Sequence, residues 1–130
     1  MLVTPLFAAV LGLLFVLLSL GVVRIRFSQR ISMGVADNRA LEKAVRSHAN
    51  FAEYVPLALL LMWFVETLTL SSALVSVAGC VLVLARVFHA IGMANPKRWL
   101  VLRQLGVVMT FAVILVLCLV LLYWYWPVGV

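Results

Sequence analysis

Charged side chains are scarce in this chain of 130 residues: they make up 11% of it, whereas 67% of the residues are hydrophobic. So little polar surface cannot cover a water-soluble globule of this size. The mean hydropathy of +1.24 indicates an integral membrane protein instead. At about 20 residues per span, the length suffices for about four transmembrane helices with short loops. We therefore predict a single membrane domain over residues 1–130.

Residues that commonly carry hydrolytic, redox or metal chemistry are also few, with two cysteines and two histidines in the chain. Cys80 and Cys118 lie in apolar segments without a partner at disulfide or ligand spacing, so we expect both to pack as small hydrophobic residues. His89 has no second His, Cys or Asp at metal-ligand spacing, and no Ser-His-Asp set or pair of carboxylates is recognisable. These gaps disfavour a hydrolase and a metal centre, and we predict no metal site.

Long apolar runs dominate what is present. The first, residues 1–23, carries no charge and is long enough to cross a bilayer of about 30 Å. It lacks the basic start and the small-residue cleavage site of a signal peptide, which favours a transmembrane helix. Asp37 or Asn38 is the expected N-cap of the second helix, Ser71 and Ser72 lie in the turn after it, and Pro96 ends the third. The four helices are predicted at about residues 2–24, 39–70, 73–94 and 102–126.

Basic residues concentrate near two of the three loops. Most of the ten Lys and Arg lie in residues 24–43 and 96–103, whereas both termini hold none. Because basic loops stay on the cytoplasmic side, we predict that both termini face outward, away from the cytoplasm. The aromatic residues Tyr123–Trp126 fit an interfacial belt at that outer surface. The net charge of +6 then reflects topology, and nucleic acid is not an expected partner.

A polar stripe interrupts this pattern at the start of the second helix. In the sequence EKAVRSHANFAEYVP, a helix places Glu42, Arg46, Asn50 and Glu53 on one face, with Tyr54 more loosely beside them. Three of these residues carry charge, yet the stretch runs directly into the apolar LALLLMWFV. A charge near lipid is costly unless it is paired or faces the protein interior. The stripe therefore predicts an inward-facing site.

Polar residues of the other helices fall at the same depth. Arg86 and His89 come late in helix 3, Arg103 begins helix 4 and Arg24 ends helix 1, so all lie in the half of the bundle where the stripe enters. Arginines present forked donors to carboxylates, and Asn and Glu add an amide and an acceptor for ammonium. The cluster predicts an anionic ligand that also carries an ammonium group. Glu66, at the other end of helix 2, is expected to reach interfacial water.

The spacing R-x-x-x-N-x-x-E, made by Arg46, Asn50 and Glu53 and followed by a proline, resembles the signature of the MAPEG family, the membrane-associated proteins of eicosanoid and glutathione metabolism. The longer string RSHANFAEYVPLALLL is similar to the bacterial branch of that family, which implies a bacterial inner membrane with both termini periplasmic. The resemblance implies an all-α bundle of four transmembrane helices, assembled as a homotrimer. It also implies glutathione as ligand, held between neighbouring subunits near the cytoplasmic side. Glutathione supplies two carboxylates, one α-amino group and a thiol.

The resemblance further implies roles for individual residues. Arg103 matches the arginine that stabilises the glutathione thiolate, if the third loop holds one extra residue, and it is the implied catalytic residue. Met93 departs from the pattern, because several relatives carry a ligand-contacting tyrosine at this position. The implied glutathione-binding residues are Arg24, Arg46, Asn50, Glu53, Tyr54, Arg86 and His89.

The same polar residues also have a purely structural interpretation. Glu42–Arg46 and Arg46–Glu53 pairs would hold the bundle together, and a buried Arg86–Glu53 pair would join helices 2 and 3. His48 points away from the stripe and is expected to face a neighbour or lipid headgroups.

The favoured function is a glutathione transferase or peroxidase that acts on lipophilic electrophiles arriving from the bilayer. A nearby guanidinium favours the nucleophilic thiolate of a thiol whose free pKa is about 8.5. The alternative is a non-catalytic membrane protein that binds lipid or glutathione. A transporter is disfavoured, because the sequence shows no inverted repeat or broken helices.

Overall fold

Four apolar segments form α-helices, because backbone groups inside lipid must find their hydrogen-bond partners within their own segment. The computed structural model describes residues 2–69, 72–95 and 97–126. The predicted turn at Ser71 and the predicted helix stop at Pro96 lie outside these ranges. Each helix is long and apolar enough to cross a membrane. The helices are α1 at Thr4–Gln29, α2 at Arg39–Thr69, α3 at Ser72–Ala94 and α4 at Leu100–Tyr125.

The bounds of α2, α3 and α4 lie within two residues of their predicted positions, but α1 is longer than predicted. It continues to Gln29 rather than ending near residue 24, so Arg24 and Arg26 lie on the helix and not in the loop. No proline or glycine occurs between Arg24 and Gln29 to end the helix there. The helix ends at Arg30, which adopts a left-handed conformation with φ 55° and donates its backbone N–H to the carbonyl of Arg26.

The connection between α1 and α2 ends in a side-chain cap. Of the two predicted N-cap residues, Asn38 takes this role: its Oδ1 accepts hydrogen bonds from the backbone N–H groups of Ala40 and Leu41, both at 3.0 Å. Gly34, in the same connection, has φ 66°. This left-handed conformation costs little without a Cβ.

The bundle is asymmetric about its two central helices. α2 and α3 contact each other, α1 packs on both, and α4 packs on both, whereas α1 and α4 do not touch within the described residues. A single apolar core holds the four helices together and includes Leu11, Phe51, Met62, Leu82 and Leu117. Any site between α2, α3 and α4 is therefore remote from α1 of the same protomer.

Glu66 does not reach water, as the sequence suggested, but lies buried with 2% of its surface exposed. Its carboxylate accepts hydrogen bonds from the backbone N–H groups of Val3 and Thr4, the second at 2.9 Å. The first N–H groups of a helix have no partner inside the helix, and an anion there also complements the helix dipole. Glu66 thus joins the end of α2 to the beginning of α1.

Candidate functional site

An open cleft of about 480 Å³ lies between α2, α3 and α4. We call it the polar cleft. Three elements contribute its lining residues: Arg46, Ala49, Asn50 and Glu53 from α2, His89 and Met93 from α3, and Arg103, Gln104, Val107 and Val108 from α4. The volume lies within the range of about 300–1,000 Å³ that is usual for small-molecule sites.

The α2 wall consists of the predicted stripe. Arg46, Asn50 and Glu53 recur at helical spacing and extend over about 10 Å of the helix axis at 1.5 Å per residue. Arg46 and Glu53 are exposed to the cleft, and among the described residues neither has an ion-pair partner. The Glu42–Arg46 and Arg46–Glu53 pairs of the structural interpretation are therefore not formed. Two opposite charges remain available to a ligand.

Arg86 lies behind this wall rather than in it. Only 2% of its surface is exposed, and its Nη1 donates a hydrogen bond of 2.9 Å to Oδ1 of Asn50. It makes no pair with Glu53, so that structural interpretation is also absent from the described residues. Because Arg86 occupies the amide oxygen of Asn50, the amide NH₂ group is left as a donor toward the cleft.

The opposite wall depends on a close approach of α3 and α4. A Cβ at Gly92 would overlap the backbone of Arg103, and a Cβ at Gly106 would overlap the backbone of Ala85 and His89. Small residues allow membrane helices to approach in this way. The close contact brings Arg103, at the start of α4, to the level of His89 near the end of α3.

Besides Arg86, two further predicted site residues do not line the polar cleft. Tyr54 is half-buried in the contact between α2 and α4, where its ring meets the edge of Phe111 with the ring centroids 5.2 Å apart. Arg24 is exposed on α1, which does not touch α4. Within one protomer, the structure brings together Arg46, Asn50, Glu53, His89 and Arg103, with Arg86 in support.

Four lining residues were absent from the predicted set, and Met93 was assigned there only as a departure from the family pattern. Gln104 is the polar one. Val107 lies four residues after Arg103 and Val108 four residues after Gln104, so the four residues form two adjacent rows on α4. Ala49 lies one residue before Asn50 and adds room rather than chemistry. The helical spacing along α4 is the signal that would have found the lining residues of that helix.

His48 points away from the polar cleft, as predicted, and its described contacts are with the neighbouring helix α1. Its Nε2 lies 3.0 Å from Oγ of Ser19, and its ring stacks on Phe15 with centroids 4.6 Å apart. His48 thus belongs to the contact between α1 and α2, on the side of α2 away from the polar cleft.

Charge complementarity defines what the polar cleft can hold. Arg46 and Arg103 line it with a single carboxylate, Glu53, so the cleft carries an excess of positive charge. Arginines bind carboxylates with two parallel hydrogen bonds, and a lone carboxylate among them suits an ammonium group. The arrangement suits a small zwitterionic ligand with more negative than positive groups.

Fold and cleft together define an integral membrane protein with four long apolar helices and a polar cleft at one end. The family model for the MAPEG family matches residues 4–123, and the chain belongs to this family. It is similar to the inner membrane protein YecN of Escherichia coli strain K12, with 34% identity over 126 residues, which cover 96% of this chain and 93% of the relative. The YecN protein of E. coli O6:H1 matches with the same identity and coverage. The resemblance seen in the stripe is confirmed.

Proposed function

We propose that this protein binds glutathione in the polar cleft and uses it as a transferase or peroxidase acting on lipophilic electrophiles. The observation that carries the proposal is the set of unpaired charges on the cleft: Arg46, Glu53 and Arg103 face one space, and none has an ion-pair partner among the described residues. Leaving charges unpaired at the edge of a membrane is costly, so a ligand that pairs them is expected.

Glutathione offers the complementary groups. Its two carboxylates match Arg46 and the NH₂ of Asn50, which Arg86 holds in place. Its α-amino group matches Glu53. His89 and Gln104 add further polar contacts from α3 and α4. Membership of the MAPEG family supports this ligand over other zwitterions.

Arg103 is the proposed catalytic residue. A guanidinium beside the thiol stabilises the thiolate, and the proton is released to solvent at the open mouth of the cleft. The thiolate sulfur then attacks an electrophilic carbon, and the leaving group departs with the bonding electron pair. With a hydroperoxide, the sulfur attacks the terminal oxygen, an alcohol leaves, and a second glutathione completes the disulfide with release of water.

A homotrimer would complete this site. Arg24 lies on α1, which does not contact α4 within the described residues, and this supports a contribution of Arg24 to the cleft of a neighbouring copy rather than to its own. Exposed apolar side chains along α1, such as Leu13 and Leu20, leave a face available for such a contact. The inner membrane is the proposed location, on the strength of the relative's name and the basic loops.

A second candidate function, glutathione or lipid binding without turnover, is favoured by one residue. Met93 lines the cleft at the position where several relatives carry a ligand-contacting tyrosine. A thioether cannot donate a hydrogen bond, so one ligand contact of those relatives is absent here.

Titration calorimetry with glutathione on the detergent-purified protein tests binding. Glu53→Gln should lower the affinity about 10-fold or more, because losing a charged hydrogen-bond partner costs about 1.5–3 kcal/mol. Glu42→Gln is the matched control, since Glu42 is an exposed acid of the same helix outside the cleft lining. Absence of binding at millimolar glutathione, or equal loss in both variants, would overturn the proposal.

A further inference from the structure

A second groove, of about 350 Å³, lies between α1, α2 and α3, and its walls differ from those of the polar cleft. Small residues create it where larger ones would fill the helix contact: Gly21, Ala40, Ala44, Ala90 and Ala94 line it. Leu17 and Leu18 form its deeper wall on α1. The groove is thus an apolar channel between helices in the half of the membrane that carries the basic loops.

The shape of the groove suits one extended chain. Its α1 wall runs from Leu17 to Ile25, about 12 Å along the axis at 1.5 Å per residue. Its volume is at the low end of the range of about 300–1,000 Å³ for small-molecule sites. A single acyl chain is therefore a better occupant than a lipid with two chains.

Two polar groups of α2 distinguish the groove from an ordinary lipid-facing surface. Lys43 is half-buried in its wall, and Ser47, one helical turn deeper, has 5% of its surface exposed. The Oγ of Ser47 has no hydrogen-bond partner among the described residues. A buried hydroxyl without a partner is costly, and mid-helix serines usually satisfy themselves on a backbone carbonyl one turn back. Ser47 therefore needs an acceptor or donor from within the groove.

We propose that this groove is a binding site for a single-chain fatty acid. The carboxylate lies between the Lys43 ammonium and the Ser47 hydroxyl, which stand one above the other at i and i+4 and can both donate to it. The acyl chain extends past Leu17 and Leu18, away from the basic loops. Fatty-acid binding requires no glutathione, so the site stands whether or not the polar cleft holds that ligand. Met93 lines both spaces and forms the partition between them.

Native mass spectrometry of the delipidated protein in detergent, titrated with palmitate, measures this binding directly. Methyl palmitate is the matched ligand without charge, and it should bind about tenfold more weakly than palmitate because it cannot pair with Lys43. Lys43→Gln should weaken palmitate about tenfold and remove its advantage over the ester. Lys97→Gln, the matched control in the exposed third loop, should leave both affinities unchanged.

A second pair of variants tests the location. A Cβ at Gly21 meets nothing within 4 Å, so Gly21→Leu fits the fold and fills the groove, and palmitate should bind at least tenfold more weakly. Gly12→Leu meets equally open space on the same helix outside the groove and should bind palmitate as the wild type does. Equal affinity of palmitate and its methyl ester for the wild type would overturn the proposal. So would equal affinity of the Gly21→Leu and Gly12→Leu variants, or displacement of palmitate by equimolar phosphatidylglycerol.

Discussion

Arg86 and Asn50 form a hydrogen bond of 2.9 Å between α3 and α2, with the arginine behind the cleft wall and the amide in it. This bond distinguishes ligand contact from support of a ligand contact, two roles that the sequence motif alone does not tell apart. Arg86, almost fully buried, orients a neighbour, while Asn50 presents its free NH₂ group to the ligand. Because Arg86 can act on the ligand only through the Asn50 amide that it orients, Arg86 is a positioning residue.

The first prediction follows from that bond. Arg86→Gln should lower both the melting temperature and the glutathione affinity, because it breaks a buried bond and frees the Asn50 amide to rotate. Asn50→Ala should lower affinity about 10-fold and also lower the melting temperature, because it leaves the buried guanidinium of Arg86 without its acceptor. Thermal unfolding and calorimetry on both variants check this. A normal affinity in Arg86→Gln would assign it a purely structural role.

The second prediction concerns the cap of α2. Asn38→Ala should destabilise the protein by about 1 kcal/mol, because the backbone N–H groups of Ala40 and Leu41 lose their acceptor. Asp37→Asn is the matched control, since Asp37 is exposed, has no capping bond among the described residues, and has a left-handed φ of 54° that Asn also tolerates. Reversible denaturation in detergent measures the difference. Equal destabilisation by both variants would contradict the assignment of the cap.

The third prediction concerns Glu66. Glu66→Ala should destabilise the protein by about 2–4 kcal/mol, because two N–H groups at the start of α1 lose their acceptor in a buried position. Hydrogen exchange should accelerate at the first turn of α1 and remain slow in α4. Glu42→Ala, at an exposed position of the same helix, should have little effect. Slow hydrogen exchange at the first turn of α1 in Glu66→Ala would show that another group accepts the hydrogen bonds of these N–H groups.

Local signals predicted much of the fold. Hydropathy located four membrane helices, since lipid requires each span to pair its own backbone, and the Asn38 cap could be named as one of two neighbours. The end of α1 could not be placed, because charge marks where lipid ends and not where a helix ends. Arg24 and Arg26 continue the helix beyond the apolar run until Arg30 adopts a left-handed conformation.

In the candidate site, too, local spacing predicted some residues, whereas contacts between distant parts of the chain decided the others. Spacing within α2 was enough to place Arg46, Asn50 and Glu53 on one face, since the period of a helix is fixed. Tyr54 lies one residue past that face and packs on Phe111, which only the contact between α2 and α4 decides. The burial of Glu66 likewise depends on a partner more than 60 positions away in the chain. Such nonlocal pairing leaves no periodic signal.

The fourth prediction is topological. A cysteine placed at Ser32, in the basic loop between α1 and α2, should react with a membrane-impermeant maleimide only after the cells are opened, because basic loops remain cytoplasmic. A cysteine placed at Leu2 should react in intact cells. Both native cysteines are free, so the Cys80→Ala, Cys118→Ala background is needed for the measurement. Labelling of the cysteine at position 32 in intact cells would show that the protein has the opposite orientation.

The last prediction separates binding from chemistry and rests on Arg103, which lines the cleft beside His89. If Arg103 stabilises the thiolate, Arg103→Ala should keep glutathione affinity within a few-fold while the pKa of the bound thiol rises toward its free value of about 8.5. Conjugation of chlorodinitrobenzene should then fall near neutral pH and partly recover as pH rises, since the thiolate forms only at higher pH.

Arg98→Ala provides the matched control for that measurement. Arg98 is exposed five residues earlier in the chain and stacks over Trp99, with its guanidinium carbon 4.9 Å from the ring centroid, so its loss should leave the conjugation rate unchanged. The readouts are ultraviolet thiolate absorbance against pH and the conjugation rate for wild type and both variants. If Arg98→Ala lowers the conjugation rate more than Arg103→Ala does, the catalytic role belongs to Arg98 in the loop before α4. Absence of thiolate in the wild type, with no change in either variant, would establish a protein that binds without turnover.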